Sequence, residues 1–323
     1  MISDIKIYIL FERIEDREMK NPYKRTDIFR CVHDAHRKFQ NKISVYHILK
    51  EKNCYPNGCF YFRWRCKQLN KKNKCYRGFT HVGRKCFGCR DFYEEKIHNF
   101  PELQVSLKDF NEFRNSITEF EDWLEEVNHK QMEIAGEIAE IKPHFKKKIY
   151  PKTSYLSFRG YILIFKEIYL DRIQFEDPVY GFISAQYYKS LGLARGDRVE
   201  AFAQLGVESG RLVLSRLRGV LVTKGSETQY WDEQKVVVAQ EMASEFNDQP
   251  DECLQCRFGS LVDVEYYKDS HAFSHRSMLC LKGVADYKNC YVRPLYCGLD
   301  KEADDVAEIS CNNFREMVWP DST

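Results

Sequence analysis

An α+β chain of several modules is what the sequence predicts: cysteine-rich segments toward each end, a long heptad helix, and a central β-barrel. Three observations carry this. Eleven of the thirteen cysteines fall into two clusters, at 54–89 and 253–297. Between them, residues 110–141 repeat apolar positions at steps of three and four, and residues 153–223 are dense in β-branched and aromatic side chains broken by glycines. With 323 residues there is room for two or three domains, which we divide at 1–104, 105–145, 150–226 and 227–323.

The charge is unevenly shared. Lys and Arg number 50 against 48 Asp and Glu, yet residues 1–100 hold 23 basic and 11 acidic side chains, leaving the remainder acidic. An anionic partner is expected to meet the basic part. No apolar run approaches the roughly 18 residues that span a bilayer. The opening Met1-Ile2-Ser3-Asp4 lacks the basic start of a signal peptide, so a cytoplasmic location and no membrane partner are expected.

Along the chain, residues 5–11 read as a short buried strand. Thr26 caps an expected helix with Ile28, Val32, Ala35 and Phe39 on one face, and Ile43–Lys52 reads as a second helix. Two short helices with a tight break suggest either a helix-turn-helix or plain packing helices. The heptad seam runs Phe110, Phe113, Ile117, Phe120, Leu124, Val127, Ile134, Ile138, Ile141, interrupted at Gln131. A 3.5-residue repeat of that length predicts a coiled-coil-like helix, capped by Ser106 and stopped by Pro143. It would serve as a spacer, a protein-binding helix or a homo-oligomer contact.

Tyr155–Tyr169 is β-rich with Gly160 inside it, as where a strand bends at a barrel corner. Ile173–Ile183 reads as strand, Ser184–Leu191 as a short helix, and Arg198–Leu205 with Arg211–Leu217 as a hairpin, closed by Val220–Thr223. This element order resembles an OB-fold barrel over about residues 153–223; an SH3-like or swapped-hairpin barrel shares it. Thr228–Phe246 reads as an amphipathic helix.

Thirteen cysteines in a reducing compartment point to metal rather than disulfides. Cys86-Phe-Gly-Cys89 and Cys253-Leu-Gln-Cys256 are tight pairs whose turn brings two thiolates to one tetrahedral ion. Cys66 and Cys75 complete the first set, Cys280 and Cys290 the second, giving two four-cysteine zinc sites. For the second, His271 and His275 after Cys256 offer a rival Cys₂His₂ spacing. An iron–sulfur cluster also takes four thiolates. Cys54 and Cys59 stay unassigned, whereas Cys31 and Cys311 fit a role as small buried hydrophobes. The fold class is then α+β and multi-domain, with zinc-stabilised N- and C-terminal modules, a long heptad helix and a central OB-like β-barrel.

From 61 to 90 the chain has ten basic residues and no acidic one. Arg63, Arg65, Lys67, Lys71, Lys72, Lys74, Arg77, Arg84 and Lys85, together with Trp64, are the expected nucleic-acid-binding residues; Arg90 adds a further cation. Phe60, Tyr61, Phe62, Tyr76, Phe79, Phe87 and Phe92 are interleaved or flanking. Cations neutralise phosphates and aromatic faces stack bases, as single-stranded or looped nucleic acid requires. The alternative is a solvated basic surface whose aromatics pack around the metal. Arg159, Tyr161, Lys166, Tyr187 and Tyr188 would add contacts from the barrel. No phosphate-binding glycine loop, HExxH or GxSxG occurs. His33 and His36 read as exposed helix residues, and Glu176-Asp177 as a strand-end turn. The expectation is a non-enzymatic RNA- or single-stranded-DNA-binding protein with structural zinc; an iron–sulfur redox sensor and a protein scaffold are its rivals.

Overall fold

Residues 17–39, 43–128, 130–246, 253, 256–268 and 271–292 are described by a computed structural model. The expected strand at 5–11, Cys297 and Cys311 lie outside the described residues.

The N-terminal part is made of short pieces. Strand β1 (Arg17–Met19) leads into a 3₁₀ turn, Pro22–Lys24, capped by Asn21, whose side chain accepts from the Tyr23 N–H at 3.1 Å. The helix expected from Thr26 is absent. In its place stand β2 (Phe29–Arg30) and a 3₁₀ segment, Asp34–Phe39. Ile28 and Phe29 are both buried while Val32 is 50% exposed, so the apolar residues do not share one helical face. Ile43–Lys52 yields only a π-helical turn, His47–Glu51, and the helix-turn-helix reading falls with it. A two-stranded ribbon follows. It joins β3 (Cys59–Cys66) to β4 (Phe92–Asn99) antiparallel, with the one-turn helix α1 (Lys67–Asn70) and a long loop between them. The short β5 (Glu102–Leu103) pairs with β2.

Ser106 does cap a helix, accepting from the Asp109 N–H at 3.1 Å, but α2 covers Leu107–Val127 and stops there. The second half of the heptad seam is β6 (Gln131–Ile149). A strand satisfies the same spacing through a bulge. Met132, Ile134 and Ile138 are buried at even positions, the register shifts between Ile138 and Glu140, and burial resumes at Ile141, Pro143 and Phe145. Pro143 is a strand residue, not a stop. The helical half of the seam is spent inside the chain. Phe110 meets Phe29 at 5.6 Å, Phe120 meets Tyr23 at 5.3 Å, and Trp123 meets Phe175 at 5.1 Å between ring centroids. That face is thus not a free coiled-coil surface.

β6 pairs along most of its length with β7 (Ser154–Leu170). Then come β8 (Ile173–Phe175), β9 (Val179–Ile183), the helix α3 (Ala185–Leu191), β10 (Arg198–Glu208) and β11 (Arg211–Thr223). The pairings run β6–β7–β9–β11–β10 and return to β6; β9 and β11 are parallel and the other neighbours antiparallel. Five strands therefore form a circuit, which begins at Gln131 rather than near residue 150. Gly160 lets β7 turn onto β9. Its φ is +119° and a Cβ there would lie 2.2 Å from the Ile183 carbonyl oxygen, a place no L side chain fits. Inside the circuit, alternate residues of β10 (Val199, Ala201, Ala203, Leu205) are buried with Leu163, Phe165, Ile168 and Leu214.

Beyond the circuit, α4 is shorter than expected, Glu233–Met242, and gives way to β12 (Ser244–Phe246). The second cysteine region carries a hairpin the periodicity did not suggest: β13 (Gly259–Lys268) and β14 (His271–Cys280), with β13 parallel to the end of β6. In that register Gly259 faces Cys280 and Lys268 faces His271. At about 3.3 Å per residue, His271 lies roughly 30 Å along the strand from the Cys256 end, and His275 roughly 17 Å. The Cys₂His₂ alternative is excluded by that register. No helix among the described residues is long and apolar enough to cross a membrane.

Candidate metal centres and nucleic-acid interface

Not one residue from Lys67 to Arg90 is buried. A segment of that length with no apolar core has little to offset the entropy of holding one conformation. What it has instead is sulfur. Cys66, at the end of β3, faces a small cavity with Cys75, Cys86 and Cys89, lined also by Leu69, Arg77, Phe79, His81 and Phe92. These are the four cysteines that the spacing grouped.

Their backbone is arranged for thiolates. At Cys75 the Arg77 N–H points to Sγ at 3.4 Å and the Gly78 N–H to the carbonyl at 2.9 Å, with Gly78 at φ +76° closing the turn. Cys89 N–H reaches the Cys86 carbonyl at 2.9 Å. The Cys89 thiol is shifted downward by the Tyr76 hydroxyl, at 3.5 Å, and by the Asp91 and Phe92 N–H groups. The second region repeats the turn twice. The Phe258 N–H points to Cys256 Sγ at 3.4 Å and the Gly259 N–H to its carbonyl at 2.9 Å. Gly283, at φ +72°, donates to the Cys280 carbonyl at 3.2 Å. The Cys280 thiol is pushed up by burial, against Lys282 and Val284 N–H groups that lower it, and it feels the charges of Cys256 and Cys290. Cys253 packs against the same core. The repeated Cys-x-x-Gly at 75–78, 256–259 and 280–283 is a signal that reading by cysteine pairs overlooked.

Among the described residues, no group of three or more His, Cys, Asp or Glu side chains stands assembled to hold a metal ion. The thiols around the first cavity would have to turn inward, which for cysteine is rotation about one bond. Four soft sulfur donors, with backbone N–H groups directed at Cys75 and Cys89, fit a closed tetrahedral ion such as zinc. The second region is tied to β6. Lys142 Nζ donates to the Cys256 and Gly259 carbonyls at 3.0 and 2.9 Å, and Ser260 Oγ donates to the Pro143 carbonyl at 3.1 Å.

The expected basic surface divides in two. Arg63 pairs with Asp34 and donates to the Tyr61 hydroxyl at 2.7 Å, and Arg65 pairs with Glu95 at 2.7 Å. Their counter-charges come from outside residues 61–90, where a count along that stretch does not find them. These two arginines are structural. Arg77 covers Phe79 at 5.2 Å and donates to the Lys85 carbonyl at 2.8 Å. Arg84 is exposed. Lys67, Lys71, Lys72, Lys74 and Lys85 are exposed, and no ion pair engages them among the described residues.

Alternation along β3 puts Phe60, Phe62 and Trp64 on one face of the ribbon, away from Tyr61 and Arg63, which cover His33 and Asp34. Phe60 and Phe62 are 54% and 53% exposed. Across the ribbon lie His98 opposite Phe60 and Lys96 opposite Phe62, with Lys96 Nζ 4.1 Å from the Phe60 ring centre. Trp64 is half-buried and packs edge-on to Phe87 at 4.9 Å, so it joins the strip to the cysteine loop. The open rings are Phe60, Phe62 and Phe87, with Tyr76 beyond them. Period-two spacing of aromatics at 60, 62 and 64 was the sequence signal for this strip; Lys96 and His98 needed the register.

On the strand circuit, Tyr161 and Tyr188 are not contacts. They are 3% and 2% exposed and pack against each other inside, tilted by 34° with ring centroids 3.9 Å apart. An open cleft lined by Lys148, Tyr150, Thr153, Tyr155, Ser157 and Arg159 lies instead at the β6–β7 turn, with Tyr155 60% exposed. Asp177 accepts from the Asn21 N–H at 2.6 Å and Glu176 pairs with Lys20, which makes that acidic pair a clasp for the N-terminal segment. No protein-family model matches the chain, and no curated protein or solved structure matches it either.

Proposed function

We propose that this chain binds single-stranded or looped nucleic acid, RNA or DNA, through the β3–β4 ribbon, with four-cysteine zinc sites at 66–89 and 253–290 as structural supports. One observation carries the reading: an open aromatic strip, Phe60, Phe62 and Phe87, beside exposed lysines that no carboxylate engages among the described residues. Rings of that kind stack bases of any sequence, and the lysines meet phosphates. Trp64 holds the strip to the cysteine loop. A solvated surface would have no use for half-exposed phenylalanines on a two-stranded ribbon, where each lies open to water.

The five-strand circuit is read as an OB-like barrel. Support comes from the parallel β9–β11 pair among antiparallel neighbours and from α3 placed between β9 and β10. The cleft at the β6–β7 turn, with Tyr150, Tyr155, Lys148 and Arg159, then supplies a second, weaker contact for the strand.

The test is titration of the metal-loaded full chain with fluorescent single-stranded oligonucleotides. Phe60→Ala with Phe62→Ala is expected to lower affinity by roughly 1–3 kcal/mol per stacked base, with the salt dependence nearly unchanged. Wild-type affinity in that folded double variant overturns the ribbon as the contact. No binding by the wild type overturns the function.

A further inference from the structure

A third group of ligand-type side chains lies outside both four-cysteine sets. It gathers Cys31, which follows β2, with Cys54 and Cys59 at the entry to β3. Cys31 is 1% and Cys54 3% exposed, and Cys59 is half-buried. The Cys54 thiol points to the Ile48 carbonyl at 3.9 Å. Cys54 and Cys59 shift each other's thiol, and each of the two interacts with Cys31; Phe29 on Tyr55 at 5.1 Å holds the two segments together. The backbone fixes this geometry. Gly58 N–H closes a turn on the Cys54 carbonyl at 2.6 Å, and Cys54 N–H holds the Ile48 carbonyl at 3.0 Å.

Near Cys31 is a buried imidazole. His36, expected at the surface, is 2% exposed, and neither ring nitrogen has a hydrogen-bond partner. Its ring lies against the Cys31 carbonyl, with His33 and His47 each 5.3 Å away between ring centroids. A neutral imidazole carries one N–H and one lone pair, and buried polar atoms are almost always matched. His47 is anchored differently, with Nδ1 3.0 Å from the Glu51 carboxylate.

We propose that Cys31, His36, Cys54 and Cys59 form a third zinc site, with His36 giving the nitrogen ligand and its other ring nitrogen turned to the Cys31 carbonyl. Three thiolates and one imidazole are a closed structural set for zinc, and a backbone carbonyl on the second ring nitrogen is how such histidines are oriented. The spacing is four residues within each pair, Cys31 to His36 and Cys54 to Cys59, wider than the pairs at 86–89 and 253–256. No three of the four stand assembled around an ion, but Phe29 on Tyr55 at 5.1 Å and His33 on Tyr61 at 4.3 Å hold their segments together, so the side chains would turn to meet the metal. Cys59 and Cys66 are the two ends of β3, so the ribbon would be clamped to an ion at both ends.

The experiment is elemental analysis of the full chain purified without chelator. Wild type is expected to hold about three zinc ions, one per site. Cys54→Ser with Cys59→Ser should lose one of them, and His36→Gln the same one, while His47→Gln keeps it. Cys86→Ser with Cys89→Ser should lose a different one, which separates this site from the failure of the others. A wild-type measurement guards against variants that do not fold. Cys59, the accessible member, should alkylate roughly tenfold faster after chelation, because a metal-bound thiolate is shielded. Unchanged zinc in the Cys54/Cys59 variant, or an alkylation rate at Cys59 indifferent to chelator, overturns the site. Loss with His47→Gln but not His36→Gln overturns the assignment of the nitrogen ligand.

Discussion

The loop from Lys67 to Arg90 and the circuit from Gln131 to Thr223 solve the same problem with different means. In the circuit, Leu163, Phe165, Ile168, Leu170, Val199, Ala203 and Leu214 are wholly excluded from water. At about 25 cal/mol per Å² of apolar surface, such a core stabilises itself. The loop buries nothing, and its four cysteines line one cavity, where the proposed zinc would hold it. With that zinc in place, one region is held by area and the other by a few bonds, so they should fail under different insults. The ribbon beside the loop also keeps its aromatic side chains open, which a region with a core to build has no freedom to do.

Chelation should produce the largest difference. Structural zinc contributes roughly 10–16 kcal/mol in small modules, so stripping metal is expected to open residues 67–90 to protease while the circuit stays intact. Mass mapping of limited digests reads this directly; an unchanged map would place the loop's stability elsewhere.

Charge breaks the circuit where metal does not. Asp197 has a fully buried side chain that accepts from the Ala194 and Gly225 N–H groups at 2.9 Å and pairs with Lys224 at 2.9 Å. Asp197→Ala leaves those donors stranded and should cost about 3–5 kcal/mol in chemical denaturation, with zinc content unchanged. Burial pushes the Asp197 carboxyl up, but the Gly225 N–H, Lys224 and the Ala194 N–H outweigh it and hold the group below the ordinary carboxylate range. Its contribution is therefore complete above the unfolded carboxylate value of about 4 and fades as pH falls through the lower folded one. The gap between wild type and Asp197→Asn should narrow over that interval and stay constant above it.

The exposed lysines sharpen the comparison through ligand rather than stability. If about five cations reach phosphates, log K should fall with log salt at a slope of about −3.5, taking about −0.7 per phosphate. Reversing Lys71, Lys72 and Lys74 to Glu should weaken binding to every sequence alike and flatten that slope. The same change should leave the midpoint of circuit unfolding where it was. The smallest effect concerns α2. Since Phe120 and Phe110 of its seam pack on Tyr23 and Phe29, that seam gives no reason to sediment above the 38.4 kDa of one chain. A dimer dissociated by Leu124→Asp with Val127→Asp would show that part of the seam reaches a partner after all.

Much of this molecule was legible in local pattern. The cap at Ser106, the strand around Gly160, the short helix at 185–191 and the hairpin of 198–205 with 211–217 all follow from turn chemistry and alternation, while 220–223 proves to continue the second hairpin strand. Spacing likewise grouped Cys66, Cys75, Cys86 and Cys89, which the fold brings to one cavity. The misreading at 131–149 has a definite cause. A β-bulge converts an alternating strand into steps of four and three, which are also the steps of a helix, and only pairing with β7 and β10 chooses between them.

What the sequence by itself determined was chemistry: thiols in tight pairs, cations without nearby anions, aromatics at every second position. What the tertiary structure decided was which of those groups meet. Asp34 and Glu95 reached across to take Arg63 and Arg65, and a buried pocket took His33 and His36 out of solvent. The segment that carries Cys31 and the entry to β3 were brought together, with Phe29 on Tyr55 at 5.1 Å and His33 on Tyr61 at 4.3 Å, by short pieces with no periodicity to betray them. Neighbours along a chain are fixed by covalent geometry, and their spacing can be read. Neighbours across a fold are chosen by pairing and packing, whose energy is spread over many residues and leaves no local mark at any one of them.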